Sequence, residues 1–171
     1  MSRAVTAFLI IAIVLAFVFV MGSFLSNGQQ AKKETEALTL IPWDLTGFSE
    51  TDVRVEDDAI LLSAGCQQLS LLTTAQQARA VELALQKKID DRPLTHDLMA
   101  DSLEFFEVQV VMVKIVAMDS GSYRAKLVMR QDKNVLELDS KPSDAIAVAA
   151  KSGAPVYIKN SLLDEQGLEI C

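Results

Sequence analysis

An uncharged apolar run near the start of the chain places the strongest constraint on its fold. Between Ala4 and Leu25 the sequence AVTAFLIIAIVLAFVFVMGSFL contains no charged residue. As a helix rising about 1.5 Å per residue, it would span about 33 Å, which is enough to cross a hydrocarbon core of about 30 Å. The alternative is a cleaved signal peptide, whose apolar region is ordinarily only about 7 to 15 residues long. We therefore expect residues 1–25 to form a retained, single-pass membrane anchor.

The charges on either side of this run are nearly balanced. Arg3 precedes it, and Lys32 and Lys33 follow it, so positive charge does not decide which side of the membrane the rest of the chain occupies. A charged tip followed by an apolar run and a polar stretch is typical of secretory signals and favours the extracytoplasmic side. We expect residues 26–50 to be a juxtamembrane tether and lead-in, and residues 51–171 to be the folded domain.

The chain beyond the predicted anchor is acidic. The full sequence has 16 Lys and Arg residues against 23 Asp and Glu residues, a net charge of −7. Arg3 is the only charged residue among the first 25, so the rest of the chain carries 15 basic against 23 acidic residues, a balance of −8. Because a basic surface supplies most non-specific affinity for nucleic acid, this balance excludes a protein that coats nucleic acid through its charge.

Cysteine and histidine are too scarce for a zinc site. The sequence contains one histidine and two cysteines, Cys66 and Cys171, whereas a structural zinc site needs about four such ligands. Any catalytic metal is therefore expected to be a hard ion, Mg²⁺ or Mn²⁺, held by carboxylates. We interpret the two cysteines as unpaired thiols. The alternative is a disulfide that fastens the C-terminus of a domain facing an oxidising compartment.

Periodicity predicts alternating strands and helices in the domain. Thr74 and Gln77 show the pattern of a capping box at the start of one helix. The second predicted helix has an apolar face made of Leu94, Leu98, Leu103 and Phe106. The predicted elements are three strands within 53–72, helices over 75–89 and 94–106, strands over 108–118, 123–130 and 134–139, a helix from Pro142 to Gly153, and a strand over 156–158.

One pattern occurs twice, 67 residues apart. Shifted by that distance, LSLLTTAQQARAV (69–81) aligns with LELDSKPSDAIAV (136–148), and five apolar positions are identical. Each segment reads as the end of a strand followed by the start of a helix, which predicts duplicated β-β-β-α units. The expected fold class is α+β, with helices packed on a largely antiparallel sheet and one transmembrane helix before it.

Residues 92–98 and 139–145 contain more polar side chains than packing requires. Both segments lie at the start of predicted helices, where free backbone N–H groups attract anions such as phosphate. Together their side chains would suffice for metal-assisted hydrolysis of a phosphodiester. The candidates are Arg92, Lys141 and Ser143 as phosphate contacts, His96 as an acid or base, and Asp97, Asp139 and Asp144 as ligands of Mg²⁺ or Mn²⁺.

The same residues also have a structural interpretation. A carboxylate in the first turn of a helix, such as that of Asp97 or Asp144, stabilises the helix through its dipole by about 0.3 to 1 kcal/mol. A tight turn at residues 132–133 would place Lys126 opposite Asp139, so that these two side chains pair across a hairpin. Neither interpretation of the polar residues is excluded by the residue pattern.

The two polar segments carry a resemblance to a known family. RPLTHDLM (92–99), followed by LDSKPSDAIAVAAKSGAPVYI (138–158), resembles the bifunctional nuclease domain family, and the similarity extends from about Val53 to Ile158. The resemblance implies an α+β fold and nuclease activity on DNA and RNA. Two positions depart from the family pattern, since Lys141 stands where an arginine is common and Gln77 stands where an acidic residue is usual. The predicted anchor is a third departure.

Two hypotheses from different classes follow. The first is a membrane-anchored nuclease that hydrolyses DNA or RNA with a divalent ion, using His96, Asp97 and Asp144 as catalytic residues. It requires the two polar segments to meet in one cleft. The second is a non-catalytic, membrane-tethered binding or assembly module in which the same residues cap helices. The sequence leaves the oligomeric state open, with a homo-oligomer as one alternative.

Overall fold

The structure, a computed structural model, describes residues 43–171. The predicted anchor over residues 1–25 and most of the predicted tether lie outside the described residues. Within residues 43–171, no helix is both long enough and apolar enough to cross a membrane. Residues 45–171 form one compact unit.

The described residues form a mixed α+β fold, as predicted. In chain order the elements are β1 (Phe48–Glu50), β2 (Asp52–Glu56), β3 (Ala59–Ala64), β4 (Gln67–Leu72), α1 (Ala75–Leu85), α2 (Thr95–Phe105), β5 (Gln109–Asp119), β6 (Ser122–Gln131), β7 (Asn134–Ser140), α3 (Pro142–Ser152), β8 (Val156–Lys159), α4 (Asn160–Gln166) and β9 (Leu168–Glu169). The sequence patterns do not predict the short elements β1, α4 and β9. The longer elements lie within a few residues of their predicted bounds.

The strands form two sheets. One has five strands in the order β1-β8-β5-β6-β7, and the other has four strands in the order β2-β3-β4-β9. All neighbouring strands are antiparallel except β5 and β8, which are parallel. In each sheet a three-stranded antiparallel meander leads into a helix, β2-β3-β4 into α1 and β5-β6-β7 into α3. This is the β-β-β-α order that the 67-residue shift predicts.

Helix α3 lies at the centre of the core. Every residue from Ala145 to Ala149 is buried, and the helix packs against α1, α2, β5 and β6. The buried face of α1 is also built from small residues, namely Ala78, Ala80, Val81 and Ala84. Because small side chains let the two helices approach closely in a densely packed interior, the N-terminal end of α3 is held firmly in place.

The predicted apolar face of α2 is confirmed at Leu103 and wrong at Leu98 and Phe106. Leu98 is 57 % exposed and Phe106 is 64 % exposed. The helix contacts the core through Met99 and Leu103, which are one turn apart and so share a face. Asp97 also points inward. The core therefore covers only a narrow stripe of this helix, and its other apolar side chains stay in solvent.

Helix α1 ends at Leu85, before the predicted end at Ile89. Lys87 adopts a left-handed conformation with φ of +54°, and the N–H groups of Lys87 and Lys88 bond to carbonyls of the preceding turn, a closure typical of helix C-termini. The ammonium of Lys87 then donates to the carbonyl of Lys151 over 2.9 Å. A positive charge thereby lies at the C-terminal end of α3, where the helix dipole favours it.

Cys66 and Cys171 form a disulfide, which corrects the expectation of two unpaired thiols. Strand β9 pairs with β4 through Gln67 and Gln68, and the N–H group of Ile170 donates to the carbonyl of Cys66 over 2.9 Å. These bonds bring the last residue beside the β3–β4 turn, with 5.2 Å between the two Cα atoms. This pairing is the alternative that the sequence left open, and strand β9, which brings Cys171 to Cys66, is not predicted by the residue pattern.

Candidate functional site

A histidine–aspartate pair joins the two polar segments. His96 is the second residue of α2 and Asp144 is the third residue of α3. The Nε2 atom of His96 lies 3.3 Å from Oδ1 of Asp144, although the two residues are 48 positions apart in sequence. Since α2 packs against α3, the N-terminal turns of both helices meet at this pair.

The surroundings of the pair determine its hydrogen bonding. The Nδ1 atom of His96 is buried and has no hydrogen-bond partner within residues 43–171. A carboxylate oxygen accepts hydrogen bonds, so this contact is a hydrogen bond in the tautomer that carries a proton on Nε2. The Asp144 side chain is 48 % exposed, against 21 % for His96. The carboxylate is therefore the member of the pair that faces solvent.

Asp97 follows His96 in the sequence but contacts different residues. It is only 5 % exposed, its Oδ2 atom accepts a 2.7 Å hydrogen bond from the N–H group of Leu94, and its Oδ1 atom forms an ion pair with Lys151. Burial alone would raise the pKa of Asp97, but the Lys151 ammonium and the Leu94 N–H group together lower it below its ordinary value. Asp97 thus caps α2 and fastens it to the last turn of α3.

Asp139 faces a basic stripe on β6 rather than the histidine. Its Oδ1 atom lies 3.2 Å from Nη2 of Arg124 and 3.4 Å from Nζ of Lys126. The hydrogen bond from Arg124 is the main cause that lowers the pKa of Asp139. Lys126 stands opposite Asp139 in the β6–β7 register, and the chain turns at residues 132–133. The predicted hairpin pairing is confirmed.

The predicted phosphate contacts lie at two places. Lys141 is the N-cap residue of α3, Pro142 is its first residue, and no side chain caps this helix. Ser143 is the second residue and is only 7 % exposed. Arg92 is exposed, lies before α2, and forms no ion pair with any residue that the structure describes. Lys141 and Ser143 therefore adjoin Asp144 in the chain, whereas no hydrogen bond or ion pair within residues 43–171 joins Arg92 to them.

A cleft of about 700 Å³ opens beside the start of α3. Lys141, Pro142 and Ser143 form part of its wall. The opposite wall comes from the end of β4 and the start of α1, including Leu72 and Thr74. The cleft therefore lies between the two strand-to-helix corners that the 67-residue shift aligns.

The three carboxylates predicted as metal ligands do not share one site. Within residues 43–171, no group of three His, Cys, Asp or Glu side chains could hold a metal ion. Asp97 is paired with Lys151, and Asp139 with Arg124. Mg²⁺ and Mn²⁺ prefer several oxygen ligands around one ion. These side chains, as they stand, do not fit a shared ion.

The residue pattern does not predict every residue of the site. Lys151 was not identified as the partner of Asp97, although a lysine in the last turn of a helix is a common signal for contacts at that helix end. Leu72 and Thr74, which line the cleft, were also missed as site residues. The 67-residue alignment pairs Thr74 with Lys141, so this repeat was a signal that could have found the opposite wall.

The fold is a small α+β domain built from two β-β-β-α units, and the pair joins the N-terminal turn of α2 to that of α3. A family model described as the bifunctional nuclease domain matches residues 59–170. This is more than half of the chain, and the chain belongs to that family. The resemblance identified from residues 92–99 and 138–158 is therefore confirmed.

Two proteins of Mycobacterium tuberculosis are similar to this chain. They are the uncharacterized proteins MT1877, from strain CDC 1551 / Oshkosh, and Rv1829, from strain ATCC 25618 / H37Rv. Each is 32 % identical over 106 residues, which is 62 % of this chain and 63 % of the relative. The match thus spans less than two thirds of the length of these relatives.

Proposed function

We propose that this chain is a nuclease that hydrolyses phosphodiester bonds of DNA or RNA. Membership of the bifunctional nuclease domain family supports the proposal. The single structural observation that carries it is the contact of 3.3 Å between His96 and Asp144, which joins an acid–base group from each polar segment at the uncapped N-terminus of α3.

The exposed carboxylate takes the proton in this proposal. A water molecule attacks the phosphorus atom, the ester P–O bond breaks, Asp144 accepts the proton of the water, and the leaving oxygen takes a proton from solvent. His96 holds the other carboxylate oxygen through Nε2–H and so keeps Asp144 oriented. Asp97 acts as a positioning residue, because it fixes the start of α2 and thereby the place of His96.

The phosphate is held by the start of α3. The N-terminal N–H groups of a helix bind anions, and here no side chain of the helix occupies them. Lys141 supplies a positive charge at the N-cap, while Ser143 supplies a hydroxyl group. A phosphate bound to the N–H groups of Ser143 and Asp144 would lie at the same end of α3 as the proposed base.

Dependence on Mg²⁺ or Mn²⁺ stays a prediction, and no step of the reaction proposed above depends on the metal. The test is an assay of the full chain on labelled single- and double-stranded DNA and RNA, with Mg²⁺, with Mn²⁺ and with EDTA. We expect His96→Ala to slow the reaction by up to about 100-fold, because the base Asp144 then loses the side chain that orients it, and a misplacement of about 1 Å can cost that much. Asp101→Asn, an exposed change on the same helix, is the matched control. Equal rates for the His96 and Asp101 variants would contradict the proposal.

A non-catalytic binding or assembly module is the second candidate. The observation that favours it is the structural use of Asp97 and Asp139, both of which are held in ion pairs. This candidate predicts binding without hydrolysis. Absence of cleavage by the folded full chain on all four substrates and under all three metal conditions would support it over the nuclease.

We also propose that the domain is tethered to a membrane by residues 1–25 and faces the extracytoplasmic side. The Cys66–Cys171 disulfide supports this side, because disulfides persist in oxidising compartments and are rare in the cytosol. A membrane-impermeant protease should then digest the domain in intact, wall-free cells. Protection of the domain until the membrane is lysed would place it on the cytoplasmic side instead.

A further inference from the structure

The cleft between the two strand-to-helix corners is lined by both polar and apolar side chains. We refer to Lys141 and Ser143 as its polar wall and to Leu72, Met118 and Tyr123 as its apolar wall; Thr73, Thr74 and Gln77 also line it. A volume of about 700 Å³ lies within the range of about 300 to 1,000 Å³ that is usual for small-ligand sites. A cleft of this composition suits a ligand with one charged and one apolar part.

The polar wall contains unfilled hydrogen-bonding groups. Ser143 is only 7 % exposed and lines the cleft, and its hydroxyl group makes no hydrogen bond to any other residue in the described part of the chain. This hydroxyl group is therefore open to an occupant of the cleft. In addition, no side chain caps α3, and its first residue, Pro142, has no N–H group, so the N–H groups of Ser143 and Asp144 are the ones available to an oxyanion. Both observations point to an anionic group as the occupant of this wall.

In the apolar wall, Leu72 is exposed to solvent and Tyr123 is held by a hydrogen bond. Leu72 is 87 % exposed even though it ends a strand, which leaves its apolar side chain without cover. Tyr123 donates a hydrogen bond to Gln166 through its hydroxyl group, so its ring is held in place beside the cleft. A flat, apolar partner would cover Leu72 and contact this ring.

We propose that the cleft holds one unpaired nucleotide of a single-stranded nucleic acid. Its phosphate binds at Ser143 and Lys141, and its base lies against Leu72, Met118 and Tyr123. The inference rests on the proposed nuclease function and names the form of its substrate. A base inside a duplex is stacked and paired, so it reaches such a pocket only after unpairing, which costs a few kcal/mol.

The charge of the domain agrees with recognition of this kind. Strong binding of a duplex relies on many phosphate contacts to basic residues, and this chain carries a net charge of −7. Stacking of a base adds affinity that is not electrostatic, while the backbone of a single strand is held by basic groups, of which this cleft has Lys141. Binding through one phosphate and one base should also depend weakly on salt, with a slope of about −0.7 per phosphate contact on single strands.

Fluorescence anisotropy of the full chain in detergent tests the proposal. The probes are a labelled twelve-residue oligo(dT) strand and the same strand annealed to its complement, both with EDTA present. We expect the single strand to bind at least about tenfold more tightly than the duplex, given the cost of unpairing. Leu72→Ser should weaken single-strand binding by about fivefold or more, a change typical of losing a contact to one base.

The control variant is Leu168→Ser, because Leu168 is also highly exposed but lies outside the wall of the cleft. Met118→Ala is a second cleft variant, and melting temperatures check that all three variants fold. Equal affinity for single strand and duplex, loss of affinity by the Leu168 variant equal to that of the cleft variants, or absence of binding to both probes would each overturn the inference.

Failure of the inference and failure of the nuclease function give different results. Cleavage of single strand and duplex at equal rates, with no effect of Leu72→Ser, would overturn the inference and leave the function in place. Tight and selective binding of the single strand without cleavage under any metal condition would retain the inference and overturn the nuclease proposal.

Discussion

The two strand-to-helix corners of this domain share a backbone pattern but use it differently. At the first corner, Thr74 and Gln77 close a complete capping box at the start of α1. At the second corner, 67 residues later, Lys141 and Asp144 occupy the same positions of α3 without capping it. The third residue of the helix therefore has different partners at the two corners. Gln77 bonds to the N-cap residue Thr74, whereas Asp144 contacts His96.

The hydrogen bonds show how completely the first corner is satisfied. The N–H group of Gln77 donates to Oγ1 of Thr74 over 3.3 Å, and the Gln77 side chain accepts from the N–H group of Thr74 and from the hydroxyl group of Thr73. Helix α2 is also capped by its third residue, Asp97. Of these three helices, α3 alone begins without a side-chain cap. The third residue of α3 thus lacks the capping role that Gln77 has in α1, and it takes part in the candidate site instead.

Replacing the third residue of each helix by alanine should give the largest difference between the two corners. We expect Asp144→Ala to reduce the rate of hydrolysis by about 10²- to 10⁴-fold, the usual loss for a general base, with little change in stability because Asp144 caps nothing. Gln77→Ala should destabilise the domain by about 1 kcal/mol, since it removes half of the capping box, and should slow the reaction far less than Asp144→Ala because Gln77 is not the proposed base. Rate assays and urea unfolding of both variants measure this. Similar losses of rate in the two variants would show that the corners are not specialised.

The disulfide joins the C-terminus to the first β-β-β-α unit and not to the second, because Cys66 lies in the β3–β4 turn. A disulfide that closes a loop of about 100 residues stabilises a protein by up to about 4.7 kcal/mol in the chain-entropy model. The double variant Cys66→Ser, Cys171→Ser should therefore lower the free energy of unfolding by about 2 to 4 kcal/mol. Denaturant unfolding with and without a reductant checks this, and the double variant should be insensitive to the reductant. An equal effect of reductant on both proteins would refute the assignment of the stability to this bond.

Much of the fold could be predicted because its causes are local. Alternation of apolar residues sets the strands, Thr74 and Gln77 mark the start of α1, and the short turn between β6 and β7 fixes Lys126 opposite Asp139. The apolar face predicted for α2 is wrong at Leu98 and Phe106 because local periodicity does not state how much of a helix the core will cover. Sequence patterns place the longer elements to within a few residues. They do not give the area of an element that its neighbours bury.

The candidate site was less predictable, since its contacts join distant segments. The contact of His96 with Asp144 spans 48 residues and depends on how α2 lies across α3. That same packing separates Asp97 from Asp144, because it brings Asp97 to Lys151 at the other end of α3. Neighbouring residues of one motif thus divide between two tasks, which their order in the sequence does not reveal.

The buried ion pair that positions α2 should be visible in the pH dependence of stability. The pKa of Asp97 is lowered in the folded domain, whereas an unfolded aspartate has a pKa of about 3.9. The stabilisation is complete above that value and is lost as the pH falls through the lower folded pKa, because the unfolded chain binds the proton first. Asp97→Asn should destabilise the domain by about 1.5 to 3 kcal/mol at pH 7.

The variant should also show a shallower loss of stability than the wild type below about pH 4, where the missing carboxylate would have titrated. Urea unfolding of both proteins between pH 2 and pH 7 measures the two slopes. Asp101→Asn, on the exposed side of the same helix, is the control. Parallel curves for the wild type and Asp97→Asn would contradict the role assigned to this ion pair.

Installing the missing cap at the second corner is the mildest change and the most direct test of the comparison. Lys141→Thr gives α3 the N-cap residue that α1 has, and an added cap stabilises a helix by about 0.5 to 1 kcal/mol. The same hydroxyl group would occupy a helix N–H group that the proposed phosphate needs, and the positive charge of Lys141 would be lost. We therefore expect a higher melting temperature together with a slower reaction, whereas the reverse exchange, Thr74→Lys at the first corner, should lower the melting temperature because it removes the cap of α1. A rate unchanged by Lys141→Thr would mean that the open start of α3 has no part in binding the substrate.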